Sequence, residues 1–369
     1  MSKKGRVLVA MSGGIDSSVA SVMLHEEGYE VVGITMKTWD YASSGGTKKE
    51  TGCCSLDSIN DARNIAVSLG FPHFILDIRE EFGDFVINHF TDEYLAGRTP
   101  NPCVLCNTHI KWDALLRRAD KLDCEFIATG HYANLRNENN RFVISKGLDE
   151  NKDQSYALWG ISQQSLSRTI FPLGHLRKTE IRDFAKERGF VDLVNKSESY
   201  EICFVPDNDY RGFLKRRVPG LEKEVGGGEF VLDDGTVVGT HEGYPFYTIG
   251  QRKGLGVTLG YPVYVSEIQK DKNRVVLSTL ENLSRDGMLV RKLNMVKYEM
   301  LDRAYETITK VRYNDDGTPA SIEQKGDEMK VLFHEPVSAI APGQAAVFYE
   351  GNDVIGGGWI SKSFRQEKL

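Results

Sequence analysis

The stretch from Gly5 to Trp39, GRVLVAMSGGIDSSVASVMLHEEGYEVVGITMKTW, decides the fold. Val7 to Ala10 form an apolar run of the length of a buried strand. Gly13 and Gly14 break it. Asp16, Ser17 and Ser18 then open a helix whose apolar residues Val19, Val22 and Met23 recur at helical spacing, and Gly28 ends it. EVVGITM is the next strand. Strand, helix and strand in this order make a βαβ unit, which predicts a parallel sheet with helices on both faces.

The same alternation continues outward. SLDSINDARNIAVSLGF reads as an amphipathic helix with Ser55 as its N-cap and Ile59, Ala62, Ile65, Ala66 and Leu69 on one side. HFILDI is a strand, HIKWDALLRRADKLDC a helix, EFIATGHYA a strand and RKTEIRDFAKERGF a helix. The texture changes after about residue 200. A basic segment from Arg211 to Gly228 ends in three glycines, and short strand-like runs with turn signals follow, as expected of a β-rich module or barrel. The N-terminal half is thus expected to be α/β and the C-terminal third all-β.

A chain of 369 residues exceeds one comfortable core, in keeping with two or three domains. No apolar run reaches membrane-spanning length, and the N-terminal basic stub runs straight into the first strand rather than into a signal peptide. A cytoplasmic protein with no membrane partner is expected. In that compartment six cysteines do not suggest a disulfide framework. The net charge of −6 excludes a globally basic nucleic-acid binder but leaves room for a local basic surface.

The loop Ser12 to Ser18, SGGIDSS, follows a strand and opens a helix. Its glycines let the backbone approach a phosphate, and the helix N-terminus offers unpaired N–H groups and the positive end of a dipole. The lysine of a Walker motif is missing, which disfavours ordinary γ-phosphoryl transfer and suits the grip of a departing pyrophosphate. Asp16 stands where it could cap the helix or hold Mg²⁺.

The cysteines divide into kinds. Cys53 and Cys54 are adjacent in a loop, and Cys124 ends a helix, where burial as a small hydrophobe is its expected role. Cys103 and Cys106 form a CxxC pair in a loop expected between helices, behind Pro100 and Pro102. Such a pair fits half a zinc site, a redox dithiol, part of an iron–sulfur site or a sulfur-handling active site. No second CxxC or CxxH completes a zinc clip. Cys203 lies about a hundred residues later in EICFVPD, at the seam where the α/β texture ends. Arg211, Lys215, Arg216, Arg217, Arg252 and Lys253 are clustered cations that suit either a solvated face or a local basic surface. Trp39 and Trp112 are candidate stacking platforms, though core packing is the plainer role.

The SGGIDS loop resembles the PP-loop of the N-type ATP pyrophosphatases, which transfer AMP to a carbonyl-type oxygen and release pyrophosphate. GRTPNPCVLCNTHIKW, ATGHYA, LDENKDQSYALWGIS, FPLGHLRKTEIRDFA, EICFVPD and YTIGQRKGLG together resemble the tRNA 2-thiouridylase family over nearly the whole chain. That resemblance implies an α/β PP-loop domain of the adenine nucleotide alpha hydrolase kind over 1–205, a small central domain over 206–280 and a C-terminal β-barrel over 281–369. It implies ATP and Mg²⁺ as cofactors, tRNA as substrate and a sulfur-donor protein or persulfide carrier as partner. Carried onto matching positions, it makes Ala10, Met11, Ser12, Gly13, Gly14, Ile15, Asp16 and Ser17 the phosphate-holding run, with Met36 and Gly130 on the rest of the nucleotide. Cys106 becomes the nucleophile and Cys203 the persulfide carrier, the two able to form a transient disulfide. Asn101, Pro102 and Cys103 fall at the target base. His131, Lys152, Asp153, Gln154, Arg312, Tyr313 and Gln344 fall at tRNA contacts.

One position departs from the family pattern. Many members carry an aspartate where this chain has Cys103, so the chain has three thiols, Cys103, Cys106 and Cys203, that would suit a 4Fe–4S cluster with one open iron. Two rivals differ in what they need. Other PP-loop adenylating enzymes do not require paired cysteines, and a nucleotide-binding redox or metal sensor would release no pyrophosphate.

Overall fold

Val7, Leu8 and Val9 are fully buried, as befits a strand covered on both faces. In the computed structural model, which describes residues 4–39, 55–196, 202–205 and 207–366, they lie in strand β1 (Arg6–Ala10) at the middle of a five-stranded sheet. Its neighbours are β2 (Glu30–Lys37), β3 (His73–Asp77), β4 (Phe126–Thr129) and β7 (Thr169–Ile170), in the order β3-β2-β1-β4-β7. Every pairing is parallel. The chain winds outward from β1 through β2 to β3, then returns to place β4 on the other side of β1. The crevice at the carboxyl ends of β1 and β4 is therefore a topological switch point, where such sheets bind ligands.

The helices form where the sequence places them. Helix α1 (Ile15–Glu26) follows β1 directly, and Gly28 turns the chain at φ 91°. Helix α2 (Leu56–Leu69) is capped by Ser55, whose side chain accepts from the Ser58 N–H, and it stops at Gly70 in the left-handed region. Helix α3 (Lys178–Glu187) packs on α1. Val19, Val22, Ala62, Ile65, Ala66, Ile181 and Ala185 join Val7 and Val9 in one buried cluster. Cys124 is buried, as expected.

Two local expectations change. The segment expected as a loop around the CxxC pair is helical: Pro102–Leu105 is one short turn, and Cys106–Lys111 continues as a wide π-helical turn into the helix Trp112–Lys121. Two prolines suggested a loop, but Pro102 stands in the first turn, where its missing N–H has no partner to lose. Unread in the sequence was the hairpin of β5 (Ala133–Glu138) and β6 (Arg141–Lys146), turned by Asn139 and Asn140 at φ 51° and 61°. Asparagine tolerates the left-handed conformation that a two-residue hairpin demands.

Contacts divide the chain into two units. The first comprises Met1–Val86, Cys103–Asp209 and Asn352–Val354, and the second Ile87–Pro102, Tyr210–Gly351 and Ile355–Leu369. The second contains a small sheet in the order β10-β11-β8-β9, made of β8 (Gly228–Leu232), β9 (Val237–His241), β10 (Tyr264–Gln269) and β11 (Arg274–Ser278). It also contains a barrel formed from β12 (Ser284–Met295), β13 (Tyr305–Lys310), β14 (Thr318–Lys325), β15 (Glu328–Ser338), β16 (Ala345–Glu350) and most of β17 (Asp353–Phe364). The strand order β12-β15-β14-β13-β16-β17 closes through pairing of β12 with β17. Met288, Val290, Ile322, Met329, Val331 and Phe348 fill its interior. Among the described residues no helix is long and apolar enough to cross a membrane.

Candidate active site

The loop between β1 and α1 is held open by its own backbone. Gly13 has φ 71°, and a Cβ there would stand 2.0 Å from the carbonyl oxygen of Ser58. The Ser12 N–H donates to Ser17 Oγ at 3.0 Å, and that hydroxyl donates to the Gly14 carbonyl at 3.2 Å. Met11 is fixed from both sides, its N–H to Ile34 O at 2.8 Å and its carbonyl by Thr35 Oγ1 at 2.8 Å. Gly14 is the N-cap of α1 and supplies no capping side chain. First-turn amides have no acceptor within their own helix, so this end of α1 is shaped for an anion.

The other candidate nucleotide positions lie near that loop. Ala10 pairs with Ile34, and Met36 lies farther along β2 toward the carboxyl edge of the sheet. Gly130 follows β4, and a Cβ on it would sit 2.8 Å from the Ser17 nitrogen. Glycine is thus required for β4 to approach the loop. Ile15 turns inward and is buried.

Asp16 does not cap the helix. Its carboxylate receives Lys178 Nζ at 2.7 and 2.8 Å and the Tyr132 hydroxyl at 2.5 Å. Lys178 is the first residue of α3, where the helix dipole disfavours a cation, and its side chain is only 8% exposed. The sequence reading missed both partners; a lysine opening a helix was the available signal. It also missed Lys196, whose Nζ donates to the Gly13 carbonyl at 3.1 Å and pairs with Asp61.

The first unit holds Cys103, Cys106 and Cys203. Cys106 is buried at the start of the π turn, a wide turn frequent at functional sites. Asn107 beside it donates to Ala157 O at 3.0 Å, while its buried Oδ1 finds no partner among the described residues. Cys103 is an exposed residue, yet desolvation of its sulfur pushes the thiol up from its ordinary value, with the Lys111 ammonium pulling the other way. Cys203 is exposed in the turn Ile202–Val205. Its neighbour Phe204 packs edge-on against Phe82, centroids 5.8 Å apart. The short helix Arg79–Phe82 in turn packs against the turn that Cys106 opens. Cys53 and Cys54 lie outside the described residues.

The donor set does not fit a cluster. Among the described residues no three His, Cys, Asp or Glu side chains gather closely enough to hold a metal ion, so Cys103, Cys106 and Cys203 do not form the expected 4Fe–4S site. Two of the thiols share one helical run and the third arrives on a separate turn.

The candidate RNA contacts fall in both units. In the first, Lys152, Asp153 and Gln154 form a half-buried loop after β6. His131 follows Gly130, with Nδ1 2.7 Å from Thr129 Oγ1 and its ring beside Trp112 and Phe171. Burial pushes its imidazole down to about 3. Trp112 is core, donating to Thr169 Oγ1 at 2.9 Å, and Trp39 is also buried. In the second, Gln344 donates to the Thr99 and Pro100 carbonyls at 3.2 and 2.7 Å, just ahead of Asn101 and Pro102. Arg312 and Tyr313 are exposed after β13. The basic segment is partly self-neutralised, since Lys215 pairs with Glu222 and Glu242 and Arg211 lies over the Tyr247 ring. Arg216, Arg252 and Lys253 are exposed.

Three family models match in succession. The tRNA methyl transferase HUP domain matches residues 5–207, the tRNA methyl transferase PRC-barrel domain 211–279 and the aminomethyltransferase beta-barrel domain 285–360. The chain is 82% identical over 368 residues to the tRNA-specific 2-thiouridylase MnmA of Cytophaga hutchinsonii, covering 100% of both chains. It is 76% identical to the protein of that name from Amoebophilus asiaticus, covering 99% of this chain and 97% of the relative. The corresponding protein of Salinibacter ruber is 62% identical, with 98% and 95% covered. With likeness running the whole length of the chain, this protein belongs to the tRNA-specific 2-thiouridylase MnmA family.

Proposed function

We propose that this protein is an ATP-dependent sulfurtransferase that replaces the C2 oxygen of the tRNA wobble uridine by sulfur. The observation that carries the reading is the company Cys106 and Cys203 keep: they share one compact unit with the loop Ser12–Ser17 at the switch point of the sheet. ATP would lie along Ala10–Ser17, Met36 and Gly130, with Mg²⁺ entering on the nucleotide's phosphates.

The C2 oxygen of uridine is a poor leaving group. Attack of that oxygen on the α-phosphorus of ATP forms an O–P bond, breaks the α–β bridge and releases pyrophosphate. The oxygen then leaves as part of AMP. A persulfide on Cys203 supplies the sulfur, attacking C2 with its terminal atom as AMP departs. Attack of the Cys106 thiolate on Cys203 Sγ breaks the S–S bond, frees thiouridine and leaves a Cys106–Cys203 disulfide. An external dithiol reductant or the sulfur-donor partner resets it. The wobble base lies in a single-stranded loop, so withdrawing it from its stack costs only a few kcal/mol.

Incorporation of labelled sulfur into tRNA lacking wobble thiolation tests the reading. Wild type transfers label, while Cys106→Ala and Cys203→Ala do not. Full transfer by either variant would refute the assignment of that thiol.

A further inference from the structure

The loop after β6 is wired to the phosphate loop by two routes that meet on one carboxylate. The first runs through Tyr132. The Gln154 N–H donates to Tyr132 O at 2.9 Å, the Tyr132 N–H donates back to Gln154 Oε1 at 3.0 Å, and the Tyr132 hydroxyl donates to Asp16 Oδ1 at 2.5 Å. The second runs through Lys178. Asp149 Oδ2 accepts the Lys178 backbone N–H at 2.9 Å, and Lys178 Nζ grips both Asp16 oxygens. Between the two routes the loop is braced from within. Asp149 Oδ1 accepts from the Asn151 N–H at 3.2 Å, and Asp153 Oδ1 accepts from the Gly147 and Ser155 N–H groups at 3.0 and 3.1 Å.

Tyr132, Asp149 and Lys178 are buried, at 3, 9 and 6% exposure, so the middle of each route is shielded from competing water. Their end point stands in the first turn of α1, where an unpaired carboxylate would repel phosphate. We propose that Tyr132 and Lys178 are positioning residues that tie the state of the loop Gly147–Ser155 to the anion-binding end of α1, so that RNA on the loop tightens the grip on nucleotide. This rests on the reading that Lys152, Asp153 and Gln154 meet tRNA. Lys178 neutralises Asp16 whether or not RNA is bound. Tyr132 carries the part that depends on RNA, because it is bonded to Gln154 at one end and to Asp16 at the other.

The test uses the full-length protein, unmodified tRNA transcript and an ATP analogue with a methylene α–β bridge, with affinities taken by calorimetry. In wild type, saturating tRNA tightens analogue binding by about fivefold or more, the size of an ordinary coupling between sites. Tyr132→Phe removes one oxygen; it reduces that factor to below about twofold while each ligand alone binds as in wild type. Lys178→Met weakens analogue binding even without RNA, Lys178→Arg restores it, and adding Asp16→Asn to Lys178→Met recovers part of the loss by removing the unpaired charge. Binding of both ligands without coupling in wild type, or full coupling in Tyr132→Phe, overturns the relay alone. Failure of wild type to bind tRNA overturns the functional reading and the relay with it.

Discussion

Gly13 and Ser58 meet backbone to backbone: a Cβ on Gly13 would fall 2.0 Å from Ser58 O, at a φ of 71° that side chains rarely adopt. This contact sets the phosphate loop against the N-terminus of α2. Gly13→Ala must break one or distort the other. The expected loss is about 2–4 kcal/mol of stability, within the large-effect tail for strained backbone. Nucleotide binding should fall at least tenfold, by about that factor or more per 1.4 kcal/mol of misplacement. Thermal unfolding and calorimetric titration of the ATP analogue measure the two; unchanged analogue affinity would show that the loop does not grip phosphate.

Cys103 is expected to be dispensable for chemistry. Desolvation keeps its thiol above the ordinary range, so little thiolate is present near neutrality. Cys103→Ala should keep labelled-sulfur transfer within about threefold of wild type, since a group that is not a thiolate contributes neither nucleophile nor soft ligand. A loss as deep as that of Cys106→Ala would place Cys103 in the reaction.

The ring of Phe82 supports the turn that bears Cys203. Phe82→Ala removes a side chain that is 1% exposed and leaves Phe204 without its edge-on partner. The expected destabilisation is about 3–5 kcal/mol. In the folded population Cys203 should react faster with iodoacetamide. Urea unfolding and peptide mapping of the alkylated thiols read both; an unaltered Cys203 rate would mean that the aromatic pair is only core.

His131 gives the first unit a pH dependence. Burial holds its imidazole at about 3 against an ordinary 6.5, and the Lys111 charge adds to the shift. Between those values the unfolded chain binds a proton that the folded chain refuses. The contribution to stability is therefore complete above about 6.5 and is lost as pH falls through that window. His131→Gln should show a smaller drop in urea midpoint between pH 7.5 and pH 5 than wild type does. An equal drop in the two proteins would place the acid sensitivity elsewhere.

Much of this was legible in the residues. The βαβ beginning, the Ser55 cap, the end of α1 at Gly28 and the burial of Cys124 follow from local pattern and are where the sequence puts them. Long-range partners were not legible, because Asp16 and Lys178 are 162 residues apart and nothing local announces the pair. The helical state of the CxxC segment was hidden by its two prolines, whose effect depends on which helical position each occupies. The cluster suggested by three cysteines finds no support for a related reason: sequence spacing counts thiols and does not say where the fold puts them.

The ring of strands formed by β12 to β17 has a consequence for recognition. Because β12 bonds to β15 on one side and β17 on the other, the ring among the described residues has no free first or last strand, and the sheet runs on only where β17 also pairs with β6. Its connecting turns lie outside that ladder, and the exposed Arg312 and Tyr313 sit on one of them. Those turns are free to vary in sequence without unseating the staves, so the specificity of this end of the molecule can drift while its scaffold stays fixed.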